Sequence, residues 1–170
     1  MKGQVNSTAN ERERMKAAVY YKYGSPDNIR IIDVFKPAPK ESEVLVRVMA
    51  ASVNAYDWHL LRAKPFFTRF VSGVLKPKNN ILGADIAGTV VSAGPGADCF
   101  NRGDRVYGCL ESCGKGGLAS GGFAEYVCAK ESVLALIPDD LAFEAAAALP
   151  MAAVTALQGI RDFGQVKKGM

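Results

Sequence analysis

The sequence predicts a mainly β fold with helices, a partly open β-barrel with helical decoration. Three observations lead there. Short runs rich in β-branched and aromatic residues recur along the chain, each bounded by glycine, proline or asparagine. Two helical patterns follow the last of these runs. Strands do not alternate with crossover helices, which a doubly wound parallel sheet requires, so a sheet curled on itself is the expected arrangement.

The first strand is expected over residues 17–21, before the turn Gly24-Ser25-Pro26-Asp27. A second spans 29–35 and is closed by Pro37 and Pro39. A third spans 44–53, with Val44, Val46 and Val48 on one face and Leu45 and Arg47 on the other. Residues 55–63 read as a helix that stops before Lys64-Pro65, because proline disfavours helical geometry in its predecessor. Residues 64–80 read as basic and irregular, with Phe66, Phe67 and Phe70 available to pack. Strands are expected at 86–93, 105–107, 123–129 and 133–137, with a glycine-rich loop at 114–122. Pro138-Asp139-Asp140 turns the chain into helices at 143–149 and about 152–163. No repeat is visible.

Composition narrows the function classes. Hydrophobic residues are 49% and charged residues 22% of the chain, a mix that supports a core rather than disorder. Net charge is +4, but the basic residues are scattered, and Glu11-Arg12-Glu13-Arg14 alternates in sign, so no nucleic-acid partner is expected. Residues 1–14 read as a flexible tail or vector remnant; the first ten are polar and lack the apolar core of a secretory signal. The longest apolar run, 141–157, is broken by Glu144 and Pro150, which fits buried helices better than a membrane span. Cys99, Cys109, Cys113 and Cys128 read as reduced thiols of a cytoplasmic protein.

Two glycine segments imitate phosphate cradles without being them. Gly94-Pro95-Gly96 leads to Asp98-Cys99-Phe100 instead of an amphipathic helix, so it reads as a hairpin turn. Residues 114–122 lack the lysine and hydroxyl of a phosphate-binding loop. A single histidine, His59, gives no Ser/His/Asp constellation.

Four segments, in order, carry a family resemblance. They are Ser52-Val53-Asn54-Ala55-Tyr56-Asp57-Trp58-His59; Gly83-Ala84-Asp85-Ile86-Ala87-Gly88 running on through Gly94-Pro95-Gly96 to Gly103-Asp104-Arg105-Val106; Gly121-Gly122-Phe123-Ala124-Glu125-Tyr126-Val127; and Ala147-Ala148-Leu149-Pro150-Met151 through Thr155-Ala156. Together they resemble the medium-chain dehydrogenase/reductase superfamily, closest to its zinc-free quinone oxidoreductase-like branch. The resemblance covers about residues 15–170. It implies a GroES-like catalytic domain at 15–140 and a helical connection at 141–170. A dinucleotide-binding Rossmann domain would follow, whose glycine-rich strand–turn–helix has not begun by Met170. Relatives commonly dimerise through that second domain, so a homo-oligomer is admitted by the resemblance and left open by the residues.

The resemblance also frames the chemistry. Zinc-dependent relatives place metal ligands where this chain has Asn54, Ala84 and a position near Met151, and none of these offers thiolate, imidazole or carboxylate. No metal is therefore expected; Asp85 alone cannot hold one. Asn54 is implied to face nicotinamide and substrate, its amide able to donate and accept; read without the family it is a strand-terminal asparagine bonding its own turn. Asp57 sits in the first helical turn, where capping is the plain role and holding the pocket edge the functional one. His59 is the expected proton donor beside hydride transfer, against a surface histidine. Tyr56 is implied to touch nicotinamide, against a core aromatic. Thr155 is implied to meet the nicotinamide carboxamide, against a helical threonine bonding its own backbone.

The expected function is thus the catalytic domain of a zinc-independent oxidoreductase using NADPH or NADH to reduce a small quinone, enone or activated carbonyl substrate. Asn54, Asp57 and His59 would be catalytic, and Asn54, Tyr56 and Thr155 would contact the cofactor. The alternative is a truncated, non-catalytic binding or scaffold module exposing the apolar face of its terminal helices.

Overall fold

The structure is a computed structural model that describes residues 13–110, 121–167 and 169. The tail up to residue 12, residues 114–120 of the expected glycine loop and Cys113 lie outside the described residues.

Two sheets form the barrel. Strand β1 (Arg14–Val19) pairs antiparallel with β2 (Arg30–Phe35). The main sheet joins β3 (Glu43–Ser52), β4 (Asp85–Ala93), β5 (Arg105–Cys109), β6 (Tyr126–Lys130) and β7 (Leu134–Leu136) in the order β6-β3-β4-β5-β7. Every pairing in it is antiparallel. Among the described residues no strand pairing joins the two sheets, and isolated bridges, Ala17 with Ala124 and Val19 with Ile81, link β1 to the chain outside the named strands, so the barrel stays open as expected.

Strand β4 is central and almost wholly buried. Its alternate residues feed two cores. Ile86 and Val90 point to a cluster with Val44, Val46, Val106 and Val127, while Ala87 packs on the opposite face against Ile137, Ala146 and Ala147. Such alternation is the two-residue period of a strand covered on both faces. Helix α1 (Ala55–Arg62) buries Leu60 and Leu61 with Tyr20 and Leu82 in a third cluster.

Gly94 is obligatory at the turn after β4, because a Cβ there would stand 2.0 Å from the Lys40 carbonyl oxygen. The chain then loops to β5, completing the expected hairpin.

Three expectations are corrected. The stretch expected to be irregular contains helix α2 (Thr68–Ser72), and Phe66, Phe67 and Phe70 are exposed, Phe66 and Phe70 meeting edge to face outside the core. The tail boundary moves, since β1 begins at Arg14 and Met15 is buried. The terminal helices are shorter and differently wound than expected. Helix α3 (Phe143–Ala147) runs into a wide turn at Leu149–Ala153, then helix α4 (Val154–Gln158) and a second wide turn at Gly159–Phe163. Pro150 has no N–H to give to an α-helical ladder, which accounts for the first interruption.

Candidate functional site

The candidate site forms where β3 ends and β4 begins. Antiparallel register sets Ser52 opposite Asp85, and Asp85 opposite Cys109 on the next strand. The chain leaves β3 through Val53 and enters α1 with Asn54 as the residue that caps it.

Asp57 fastens this entry. It is 2% exposed, and its Oδ2 accepts the Asn54 backbone N–H at 2.8 Å. Asn54 and Asp57 thereby form the reciprocal capping arrangement that satisfies N–H groups orphaned at a helix start. The other oxygen, Oδ1, accepts the Gly83 N–H at 2.9 Å, tying α1 to the turn before β4. Burial pushes the Asp57 carboxyl above its ordinary value, against the pull of the Asn54, Gly83 and Ala84 N–H groups and with a smaller push from the Asp85 charge.

Asp85 is the hub. It is fully buried, and its Oδ2 receives three donors: the Met151 N–H at 2.9 Å, the Asn54 amide at 3.1 Å and the Ser52 hydroxyl at 3.4 Å. Its Oδ1 is buried with no hydrogen-bond partner among the described residues. One carboxylate therefore ties the end of β3, the cap of α1 and the turn after α3. A buried charge requires such partners, since leaving it bare costs several kcal/mol, on the order of what a whole domain has to spare.

The structure brings Asn54 and Asp57 together, with Asp85, Ser52 and Met151 around them. Thr155 lies one helical turn beyond Met151 and donates its hydroxyl to the Met151 carbonyl at 2.6 Å. Tyr56 packs on the Tyr20–Leu60–Leu82 cluster. His59 is further along α1; its Nδ1 meets the Lys64 carbonyl at 2.6 Å and its ring stacks on Trp58 with centroids 4.1 Å apart. A carbonyl only accepts, so Nδ1 carries the proton, and the neutral ring presents Nε2 as an acceptor. A cleft of about 350 Å³ lies elsewhere, lined by Met15, Phe35, Asn80, Tyr126 and Cys128, and none of these site residues borders it.

Residues 40–139 match the alcohol dehydrogenase GroES-like domain family. The chain belongs to that family. It is 35% identical over 159 residues to a quinone-oxidoreductase homolog, chloroplastic, of Spinacia oleracea, covering 90% of this chain and 44% of the relative. It is 34% identical to the NADPH-dependent alkenal/one oxidoreductase, chloroplastic, of Arabidopsis thaliana, covering 92% of this chain and 39% of the relative. Among solved structures, the quinone oxidoreductase from Coxiella burnetii superposes with a TM-score of 0.78 at 30% identity, covering 92% of this chain and 47% of that one. This GroES-like chain thus spans less than half the length of these relatives and corresponds to the N-terminal part of quinone oxidoreductase-like members of the medium-chain superfamily.

Among the described residues no group of three His, Cys, Asp or Glu side chains is placed to hold a metal ion. Nor, among them, is any helix long and apolar enough to cross a membrane.

From sequence, Asp85 reads only as an acid that cannot hold a metal alone. A signal for more is there: one acid opens an apolar run, Ile86 to Gly88, whose residues are all buried. A charge in that position needs buried donors, and Ser52 and Asn54 are the nearest polar groups across the register.

Proposed function

We propose that this chain is the catalytic domain of a zinc-independent oxidoreductase that uses NADPH or NADH to reduce a quinone, enone or activated carbonyl. The Asn54–Asp85–Met151 network carries the reading. At the positions where zinc-binding relatives keep metal ligands, this chain builds a closed hydrogen-bonded assembly around one buried carboxylate. A half-buried asparagine amide set in a rigid polar frame suits holding a flat, polar ring system in place.

Reduced nicotinamide, when bound, supplies the hydride. The chain's own residues do the rest. Asn54 orients a polar group of cofactor or substrate, and Asp57 holds the helix entry that presents it. His59 is the proposed proton donor, which requires its imidazolium form because the neutral ring offers only an acceptor at Nε2. Tyr56 and Thr155 are the further proposed cofactor contacts. Val154, Leu157, Ile160 and Phe163 are exposed along the terminal segment, apolar surface suited to covering by a cofactor-binding domain.

The test is to prepare the protein at its natural length and follow NADPH and NADH consumption with a quinone and with an enone, measuring bound zinc by mass spectrometry. Turnover unaffected by a chelator, with zinc far below one per chain, supports the proposal. A stoichiometric zinc needed for turnover, or no turnover with either acceptor, sinks it.

A further inference from the structure

Asn54 has a fixed polarity. An asparagine amide offers two N–H donors on nitrogen and two lone pairs on oxygen. The Asp85 Oδ2 that faces it already receives the Met151 N–H, so this oxygen is an acceptor and the group turned toward it must be the amide nitrogen. That nitrogen reaches two acceptors at the same distance, Asp85 Oδ2 at 3.1 Å and Ser52 Oγ at 3.1 Å. Ser52 can accept there because its own proton points to Asp85. Both N–H groups are thus engaged inside the protein. The side-chain oxygen lies on the α1 side as part of the cap, and with two lone pairs it keeps an acceptor position.

We propose that Asp85 is a positioning residue that makes Asn54 an acceptor toward ligands. Asn54 then takes an N–H or O–H donor, such as a carboxamide N–H or a hydroxyl, and does not polarise the carbonyl being reduced. This rests on the nicotinamide reading above and narrows it. A substrate carbonyl is an acceptor and finds no donor in Asn54. The fitting groups are the nicotinamide carboxamide or a hydroxyl of cofactor or product. Asp85→Leu should invert the arrangement, because it removes the one oxygen that receives the Met151, Asn54 and Ser52 donors and leaves the Met151 N–H and the Ser52 hydroxyl in need of an acceptor. Asn54 then turns its oxygen inward and its N–H groups outward.

The experiment measures cofactor dissociation constants by fluorescence, without turnover, on the protein at its natural length. The probes are the natural cofactor and its 3-acetylpyridine analogue, in which a methyl replaces the carboxamide nitrogen. Wild type is expected to bind the analogue about tenfold more weakly, the effect of one good hydrogen bond. Asp85→Leu and Asn54→Ala should both lose that preference. Equal affinities in wild type would assign the donor to a hydroxyl, and the two variants should then weaken an alcohol or hydroquinone product and spare the carbonyl substrate. Preserved preference in Asp85→Leu, or no change in either arm, overturns the proposal.

A second readout stands apart from the cofactor. Nuclear magnetic resonance of the Asn54 side-chain amide should show both hydrogens exchanging slowly in wild type. In Ser52→Ala, the milder variant should Asp85→Leu fail to fold, one should exchange faster. Fast exchange of both in wild type overturns the assignment. Slow exchange in a protein that binds no nicotinamide would instead leave Asn54's polarity standing and remove the proposed function.

Discussion

Asp57 Oδ1 accepts the backbone N–H of Gly83 at 2.9 Å, a bond that spans 26 residues of chain and is buried throughout. It fixes the start of α1 against the turn into β4, and so fixes the distance from Asn54 to Asp85. Both Asp57 oxygens are occupied by backbone donors, and an amide has one oxygen to give. Asp57→Asn should therefore leave a buried N–H unpaired and destabilise the fold by about 1–3 kcal/mol. The pH dependence has a definite sign. The carboxyl is held above its ordinary value of 3.8, mainly by burial. Its contribution to stability is full below that value and is lost as pH rises through the native one. The deficit of the variant, read from urea unfolding, should be largest in acid and shrink toward neutrality. Parallel stability curves for the two proteins would show that the carboxyl is unperturbed.

Gly83 itself has no tolerated replacement. Its φ is +99°, and a Cβ would lie 2.6 Å from the Phe123 backbone nitrogen and 2.7 Å from the Phe123 ring. Gly83→Ala should cost more than about 1 kcal/mol, since both conformation and space oppose it. Thermal unfolding should show a drop of at least several degrees. An unchanged midpoint would mean that the turn can relax without disturbing Phe123.

Gly83 also marks how far the chain could be read unaided. The open barrel was legible, because alternation in Val44–Val46–Val48 and the turn at Gly94 are local signals that tertiary packing reinforces. The capping role of Asp57 was legible from its place in the first helical turn, while its reciprocity with Asn54 emerges only in the structure. Helix α2 was not. It lasts five residues and its one aromatic, Phe70, is exposed, so no apolar period announces it. The Asp85 hub was hidden because its donors come from Ser52, Asn54 and Met151, joined only by strand register and by the return of the chain after α3. Thr155 bonds its own helix backbone, which was the plainer of its two readings.

A second carboxylate gives a prediction away from the site. Glu131 accepts the backbone N–H groups of Asp98, Cys99 and Phe100 at 3.0, 2.6 and 3.2 Å, gathering the loop between β4 and β5. Its hydrogen bond and charge also hold the exposed Cys99 thiol above its ordinary value. Glu131→Gln removes the charge and should let Cys99 ionise more readily. Alkylation at pH 8, followed at Cys99 by peptide mass spectrometry, should become several-fold faster, since the thiolate is the reacting form. Cys128 serves as an internal control, because burial pushes its thiol up to about 11 and Glu131 is not among the causes. Acceleration at both cysteines would indicate loosening of the fold instead of a local charge effect.

His59 allows the proton-donor role to be separated from a structural one. Its Nδ1 donates to the Lys64 carbonyl and its ring lies against Trp58, so removing it also frays the end of α1. Alanine alone would confound the two effects. Asparagine can place an amide N–H close to where Nδ1 stood, keeping the Lys64 bond while deleting the titratable Nε2. If His59 delivers the proton, His59→Asn and His59→Ala should lower kcat alike, by about 10²-fold or more, the usual contribution of a general acid, with cofactor affinity little changed. If the ring is structural, asparagine should recover most of the activity that alanine loses, and the proton must then come from solvent or substrate. Solvent isotope effects would separate the cases further: a proton transfer made slow by losing its donor becomes more rate-limiting, so the effect on kcat should grow in His59→Asn, whereas a structural role leaves it at its wild-type size. Single-turnover measurements isolate the chemical step first, and the comparison of the two variants under those conditions decides the role of His59.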